Sequence, residues 1–159
     1  MMPKLLTTLT LSIFLFLCAP TSAQQEEAIN WLSFEQLDDS LAVQPKKVFI
    51  SFHTDWCAYC RKMDKVVFTK PEVIELLNEG YYAVHFDAES EAVVAFGGRE
   101  YINEQLGQSR TPLHQIAQLL ASREGQFVAP TMIILDEEFN VTARYFEYLS
   151  SKSLLRALE

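Results

Sequence analysis

The sequence predicts an α/β domain in which a central mixed sheet is flanked by helices. The nearly continuous apolar run at residues 48–52 is typical of a strand buried on both faces. A second strand-like run, residues 81–87, follows after a helical stretch, and this order predicts a parallel pair. The apolar runs 129–135 and 141–148 flank the turn residues 136–140, which predicts an antiparallel hairpin.

The first helix is predicted before the buried strand. Phe34, Leu37 and Leu41 recur at helical spacing and form one apolar face. Ser33 stands before them as a candidate N-cap, because its hydroxyl can accept a hydrogen bond from the first helical turn. Pro45 ends this helix, since proline cannot continue the backbone hydrogen-bond pattern.

Three further helices are predicted around the strands. One runs from about residue 58 to residue 69, and Pro71 then opens another helical stretch that Gly80 closes. Ser150 is a candidate N-cap for the last helix, which carries an apolar face toward the core.

A mostly helical insertion is predicted at residues 89–128, before the proline-initiated strand. Residues 89–96 have helical character, and Gly97-Gly98 breaks the pattern. Thr111-Pro112 resembles an N-cap followed by proline at the first helical position, and an apolar face follows in residues 113–120.

The first 23 residues have the pattern of a secretory signal peptide. Lys4 is their single positive charge, residues 9–19 form an apolar core, and residues 21–23 are small. This order predicts cleavage before Gln24, so that the folded domain comprises residues 24–159.

Two alternatives to cleavage are disfavoured by the same residues. An uncleaved membrane anchor would need ~20 apolar residues, and the run is shorter than that. A lipid-modified N-terminus at Cys18 is the other alternative, but Leu17 occupies the position where a small residue is expected.

The charge balance excludes nucleic acid as a partner. The chain carries a formal net charge of −8, and removal of Lys4 from its 13 basic residues leaves 12 against 21 acidic ones. A surface that binds phosphates needs the opposite sign.

Cys57 and Cys60 are the candidate functional residues of the domain. With the leader removed, they are the only cysteines left. A bridge across two intervening residues closes too small a loop to stabilise the fold much, which favours a redox role over an inert staple. At the start of a helix, the exposed N–H groups and the helix dipole stabilise a thiolate. Cys57 then fits the attacking thiolate and Cys60 the resolving thiol.

Metal binding is a weaker alternative for this pair. A zinc site normally takes four ligands, and there is no second cysteine pair in the sequence. His53, His85 and His114 could complete a zinc or copper site, but their positions within strands and a helix favour ordinary packed or surface residues. We expect no metal and no cofactor.

Pro130 opens a strand far from the cysteines in sequence. A proline that must lie beside an active site suggests a cis peptide bond. A trans proline at the start of a strand is an equally good interpretation of the residue by itself.

The motifs together resemble the thioredoxin superfamily. They are Trp56 with the Cys57–Cys60 pair, a strand ending in Phe86-Asp87, and Ala129-Pro130-Thr131 before a hairpin. More narrowly, residues 55–63 and 67–73 are similar to the C-terminal periplasmic domain of the thiol:disulfide interchange protein DsbD. The resemblance extends over residues 48–158.

The resemblance implies roles for the residues that match its motifs. Cys57 would be the nucleophile and Cys60 the resolving cysteine, with Trp56 beside them. Pro130 would be a cis-proline facing the pair. Ala129 and Thr131 would flank the groove in which the backbone of a partner protein pairs.

Three departures from thioredoxin bear on the chemistry. Ala58-Tyr59 replaces Gly-Pro between the cysteines, and Ser51 replaces a buried aspartate that takes part in proton transfer. His53 stands where a second aromatic residue is expected. The long insertion after Asp87 is similar in position to that of DsbA-like oxidases.

The sequence therefore predicts an exported, monomeric thiol–disulfide oxidoreductase with a thioredoxin-like fold. The similarity to DsbD favours a reductase or electron relay in the periplasm of a Gram-negative bacterium. Its substrates would be protein thiols and disulfides, and a membrane-embedded donor would re-reduce it. The alternatives are a DsbA-like oxidase, and a copper- or protein-binding module without enzymatic activity.

Overall fold

The computed structural model of the protein describes residues 28–159. The predicted signal peptide and Cys18 lie outside these residues. No helix in the described part of the chain is long and apolar enough to cross a membrane.

Nine strands and five helices make up the described residues. In chain order they are β1 (Trp31–Leu32), α1 (Phe34–Val43), β2 (Lys47–His53), α2 (Ala58–Val66), α3 (Pro71–Gly80), β3 (Tyr81–Asp87), β4 (Val94–Phe96), β5 (Arg99–Tyr101), α4 (Gln115–Leu120), β6 (Ser122–Arg123), β7 (Gln126–Phe127), β8 (Thr131–Leu135), β9 (Val141–Tyr145) and α5 (Ser151–Leu158).

Five of the strands form one mixed sheet in the order β1-β3-β2-β8-β9. β2 pairs in parallel with β3 and antiparallel with β8, so that Phe49 lies between Ala83 and Ile134. The predicted strand–helix–strand unit and the C-terminal hairpin are confirmed. β1 is a two-residue strand parallel to β3, and it lies where the sequence predicted no strand.

β2 is the central strand and contributes to two separate cores. Phe49 packs with residues of α2, α3 and α5 on one face of the sheet. Ile50 and Phe52 pack on the other face with residues of α1 and α4. All three side chains have no solvent exposure, as the continuous apolar run predicted.

The predicted starts of α1, α3 and α5 are confirmed. Ser33 caps α1 in a capping box, accepting a hydrogen bond from the Gln36 N–H while the Gln36 side chain accepts one from the Ser33 N–H. Pro71 occupies the first turn of α3, and the Ser150 hydroxyl caps α5. α2 is shorter than predicted and ends at Val66.

The prediction of a mostly helical insertion at residues 89–128 is wrong. The segment contains two small antiparallel hairpins, β4-β5 and β6-β7, and a single six-residue helix. Gly97 and Gly98 have φ angles of 59° and 72°, which suit the two central residues of a tight hairpin turn. They connect two strands instead of ending a helix.

Contacts with α1 explain why residues 94–96 are extended. The Glu35 carboxylate accepts a hydrogen bond of 3.0 Å from the Ala95 N–H. Asp38 accepts one of 3.1 Å from the Gly97 N–H. These backbone groups are satisfied by side chains about sixty positions away, so no local pattern indicates them.

The predicted helix start at Thr111-Pro112 is also displaced. α4 begins at Gln115, and the ring of His114 caps it by accepting a hydrogen bond from the Ile116 N–H. The opposite ring nitrogen lies 3.2 Å from the carbonyl oxygens of Ala92 and Tyr101. The fully buried His114 therefore has a structural role inside the insertion.

Asn103 joins the loops of the insertion to one another. Its side-chain amide donates hydrogen bonds to the carbonyl oxygens of Pro112, at 2.7 Å, and Ser90, at 3.1 Å. Its side-chain oxygen accepts one from the Gln105 N–H. Only 5% of Asn103 is exposed, so no solvent is available to replace these bonds.

Replacement of Asn103 by alanine should lower the free energy of unfolding by about 2 kcal/mol, because buried carbonyl groups lose their donor. Denaturant unfolding followed by circular dichroism measures this loss. Gln108→Ala is the control, since the exposed Gln108 makes one comparable hydrogen bond, to the Glu104 carbonyl. Equal losses in the two variants would contradict the special role of Asn103.

Candidate active site

Cys57 and Cys60 form a disulfide at the N-terminus of α2. Their Cα atoms are 5.3 Å apart. Cys57 is the N-cap residue of the helix, and its sulfur accepts a hydrogen bond of 3.0 Å from the Cys60 N–H. The Cys57 N–H in turn donates to the Thr54 carbonyl at 3.1 Å. The turn after β2 thus fixes the first cysteine at the start of the helix.

The disulfide is almost completely enclosed. Cys57 is 4% exposed and Cys60 is 3% exposed, whereas the adjacent Trp56 and Tyr59 are 59% and 60% exposed. Two large aromatic side chains next to the cysteines in the sequence are therefore exposed at the surface. Exposed aromatic groups are also favourable contacts for a protein partner.

The basic residues that follow the pair have partners of their own. Arg61 donates a hydrogen bond to the Asp55 carbonyl. Lys62 lies over the ring of Tyr148, 4.7 Å from its centroid, and the Tyr59 ring lies 6.0 Å from the same ring. These contacts connect the exposed side of α2 to the loop that precedes α5.

Trp56 is held against the segment after β3. Its indole N–H donates a hydrogen bond of 3.0 Å to Glu89. The Glu89 backbone N–H donates to the Asp87 carboxylate, so the orientation of Trp56 depends on the first residues of the insertion.

The peptide bond between Ala129 and Pro130 is cis. Thr131, directly after it, pairs with Phe52 near the end of β2. Since β2 leads into the turn that carries the cysteines, Ala129, Pro130 and Thr131 lie at the same end of the sheet as the disulfide. Thr131 is fully buried, and its hydroxyl donates to the Val128 carbonyl. The catalytic roles of Cys57 and Cys60 stay a prediction. So do the supporting roles of Trp56, Ala129, Pro130 and Thr131.

Two histidines and a carboxylate form a cluster beneath α2, and the sequence interpretation missed it. The rings of His53 and His85 are stacked, with centroids 4.0 Å apart and an angle of 18° between their planes. His85 Nε2 lies 3.4 Å from the Asp64 carboxylate of α2. The sequence did contain a signal for this cluster. Alternate residues of a strand share one face, so His53 and His85 lie on the same face of the parallel pair β2 and β3.

The electrostatics of this cluster favour neutral histidine at His85. Burial, together with the neighbouring His53, lowers the pKa of His85 from 6.5 to about 4. Burial raises the pKa of the Asp64 carboxyl group, and His53 acts in the opposite direction. His53 Nδ1 and the Thr54 hydroxyl oxygen are buried without a hydrogen-bond partner among the described residues.

No group of three or more residues suited to hold a metal ion occurs within residues 28–159. His114, one of the metal-ligand alternatives, is committed to capping α4.

The disulfide and the fold that carries it define a class of protein, the thiol–disulfide oxidoreductases. The model of a family described as the thioredoxin-like domain matches residues 35–159. Since this is most of its length, the chain belongs to the thioredoxin-like domain family. The predicted fold and the resemblance are confirmed.

Individual proteins are similar to this chain either in local sequence or in overall fold. Thiol:disulfide interchange protein DsbD 2 of Pseudomonas aeruginosa is 34% identical over 61 residues, which cover 36% of this chain and 10% of that protein. The match therefore spans only a small part of the relative's length.

Two solved structures share the fold over most of the chain. A thioredoxin from Thermus thermophilus superimposes with a TM-score of 0.57 at 18% identity, covering 82% of this chain and 85% of the other. The oxidoreductase DsbH superimposes with a TM-score of 0.55 at 19% identity, covering 82% of each chain. At these identities the likeness establishes the fold alone.

The lowered pKa of His85 predicts a loss of stability in mild acid. The unfolded chain binds a proton at His85 below about pH 6.5, while the folded protein excludes it until about pH 4. The free energy of unfolding should therefore have its full value above about pH 6.5 and fall by about 2 kcal/mol from neutral pH to pH 5.

Urea unfolding of the wild type and of His85→Phe at several pH values measures this effect. The variant should lose most of the acid dependence. His114, whose pKa burial also lowers, accounts for a residual slope. The same slope in both proteins would contradict the assignment to His85.

Proposed function

We propose that the protein is an exported thiol–disulfide oxidoreductase that reduces protein disulfides or relays electrons to them. The observation that carries this proposal is the Cys57–Cys60 disulfide at the N-terminus of α2, with Cys57 as the N-cap residue. A thiolate at this position is stabilised by the helix dipole and by the Cys60 N–H, which already donates to its sulfur.

The proposed reaction has two exchange steps. The Cys57 thiolate attacks a client disulfide, forms a mixed disulfide and releases one client thiolate. The Cys60 thiolate then attacks the Cys57 sulfur, closing the Cys57–Cys60 disulfide and releasing the second client thiolate. Two electrons pass to the client, and the protein ends in the oxidised form that the structure describes.

The residues around the disulfide support binding of an extended client segment. Trp56 directly precedes Cys57, Tyr59 directly precedes Cys60, and both rings are exposed. Residues Ala129 to Thr131 lie at the end of the sheet nearest to it, where their backbone groups would pair with the client on either side of its cysteine. Trp56, Ala129, Pro130 and Thr131 are thus proposed as supporting residues.

The direction of electron flow is proposed from the local similarity to DsbD 2 of Pseudomonas aeruginosa, 34% identical over 61 residues. That similarity, with the leader-like sequence of residues 1–23, favours a reductase in the periplasm of a Gram-negative bacterium. Such a protein needs a membrane-embedded donor of electrons, because the periplasm has no soluble thiol buffer. We propose that the folded domain, residues 24–159, works as a monomer.

Substitution of Cys57 and substitution of Cys60 should have different effects on the reaction. Cys57→Ser should abolish insulin reduction, because no attacking thiolate remains. Cys60→Ser should accumulate a mixed disulfide with a client, since the resolving thiol is missing. Non-reducing gel electrophoresis after reaction with a disulfide-containing protein detects this adduct. Insulin reduction that is unchanged in both variants would refute the proposed enzymatic role of Cys57 and Cys60.

The reduction potential should decide between a reductase and an oxidase. We expect a value near thioredoxin's ~−270 mV, whereas a DsbA-like oxidase would lie near ~−120 mV. Equilibration of the protein with glutathione or dithiothreitol buffers, followed by tryptophan fluorescence, measures it, because Trp56 adjoins the disulfide. A value near the oxidase limit would reverse the proposed direction.

A further inference from the structure

Resolution of the mixed disulfide requires a proton acceptor near Cys60. The Cys60 thiol must lose its proton before its sulfur can attack, and this residue is 3% exposed, so bulk water has little access to it. Ser51 lies on the adjacent part of β2 and is 2% exposed, but a hydroxyl group does not accept a proton at neutral pH. Another group has to receive the proton.

The inner face of α2 joins Cys60 to Asp64. Cys60, Met63 and Val67 are buried at helical spacing, and Asp64 stands beside Met63 on this face, half-buried. Residues four apart on a helix are neighbours. Side chains also lean toward the helix N-terminus, so the Asp64 carboxylate leans toward Cys60.

The two histidines lie on the sheet face that α2 covers. Phe49 of β2 and Ala83 of β3 pack there against Met63 of α2. Because side chains alternate along a strand, His53 and His85 project from the same face. His53 is the last residue of β2, directly before Thr54, whose carbonyl holds the Cys57 N–H.

The contacts within the cluster leave one nitrogen free. The His85 ring is held between the stacked His53 ring and the Asp64 carboxylate. His53 Nδ1 is buried and has no hydrogen-bond partner in residues 28–159. The Thr54 hydroxyl oxygen, in a residue that is 1% exposed, is unpartnered in the same way. The turn that carries the disulfide thus contains buried polar atoms unsatisfied in the oxidised protein.

We propose that His53, stacked on His85 and supported by the Asp64 carboxylate, accepts the proton that Cys60 releases during resolution. The proton moves from Cys60 Sγ to the His53 ring as the Cys60 thiolate attacks the Cys57 sulfur. The sulfur–sulfur bond of the mixed disulfide breaks, the bond between Cys57 and Cys60 forms, and the client sulfur leaves with the bonding electron pair. The inference rests on the proposed exchange reaction and assigns its missing proton acceptor.

The groups around the histidines are consistent with the uptake of a single proton. Asp64 faces them from α2, and Asp87 pairs with His53 in the register of β3. The rings of Trp31 in β1 and Phe68 in the turn after α2 pack against His85. The lowered pKa of His85 keeps this ring neutral at pH 7, so that one positive charge forms in the cluster and lies near two carboxylates.

Titration of the Cys60 thiol in a Cys57→Ser background tests the proposal. The ultraviolet absorbance of the thiolate, followed against pH, gives the midpoint of its formation without any client. His53→Gln should raise this midpoint by about one pH unit, equivalent to a roughly ten-fold lower thiolate fraction at neutral pH. His53→Phe should give the same direction, which separates loss of the base from a packing defect.

Asp64→Asn distinguishes support of the imidazolium from simple charge repulsion. If the carboxylate stabilises protonated His53, this variant raises the midpoint; if Asp64 only repels the thiolate, the midpoint falls. Asp55→Asn is the matched control, because it removes an exposed carboxylate two residues from Cys57 that forms no ion pair with the histidines within residues 28–159. It should leave the midpoint unchanged.

An unchanged midpoint in both His53 variants, or a lowered midpoint in Asp64→Asn, would overturn the proposal. The proposed function is judged separately, by insulin reduction in the wild type. Failure of that assay would refute the reductase and leave the titration of Cys60 interpretable. A normal assay with an unmoved titration would refute only the proton acceptor.

Discussion

Burial of the central strand β2 between two cores determines where the disulfide lies. β2 is paired on both sides, in parallel with β3 and antiparallel with β8, and its side chains fill both cores. The strand therefore ends at a fixed place, and the turn after His53 starts there. The N-terminus of α2 and the start of β8 meet at this end of the sheet, because Phe52 pairs with Thr131. The disulfide and the cis-proline therefore lie at the same end of the sheet, because the segments that carry them both adjoin the end of β2.

At the start of α2, a structural role and a chemical role use the same hydrogen bond. The Cys57 sulfur accepts from the Cys60 N–H, as the oxygen of an N-cap residue does. An N–H group at the start of a helix also favours a thiolate, so the same donor suits the exchange chemistry proposed for Cys57. Beneath it, the sheet supplies two stacked histidines, and α2 supplies the Asp64 carboxylate one turn after Cys60.

The insertion adds structure mainly on the face of the sheet opposite to α2. Its hairpin is bound to α1 by Glu35 and Asp38, and α4 packs into the core on that side. Among residues 28–159, the side chain of Trp56 links the insertion to the disulfide segment through its hydrogen bond with Glu89. The insertion therefore contributes to the orientation of an aromatic residue next to the disulfide.

The sequence by itself determined the four longer strands of the main sheet, the N-caps of α1 and α5 and the redox pair, because each depends on residues close together in the chain. The run at residues 48–52, Ser33 as an N-cap and the Cys57–Cys60 spacing are local patterns with a direct physical meaning. The tertiary structure decided what depends on distant residues. Ala95 is extended because Glu35 binds its N–H, and His53 meets His85 only where two parallel strands lie side by side. The enclosure of Cys57 was decided in the same way, since burial depends on how separate segments pack around it.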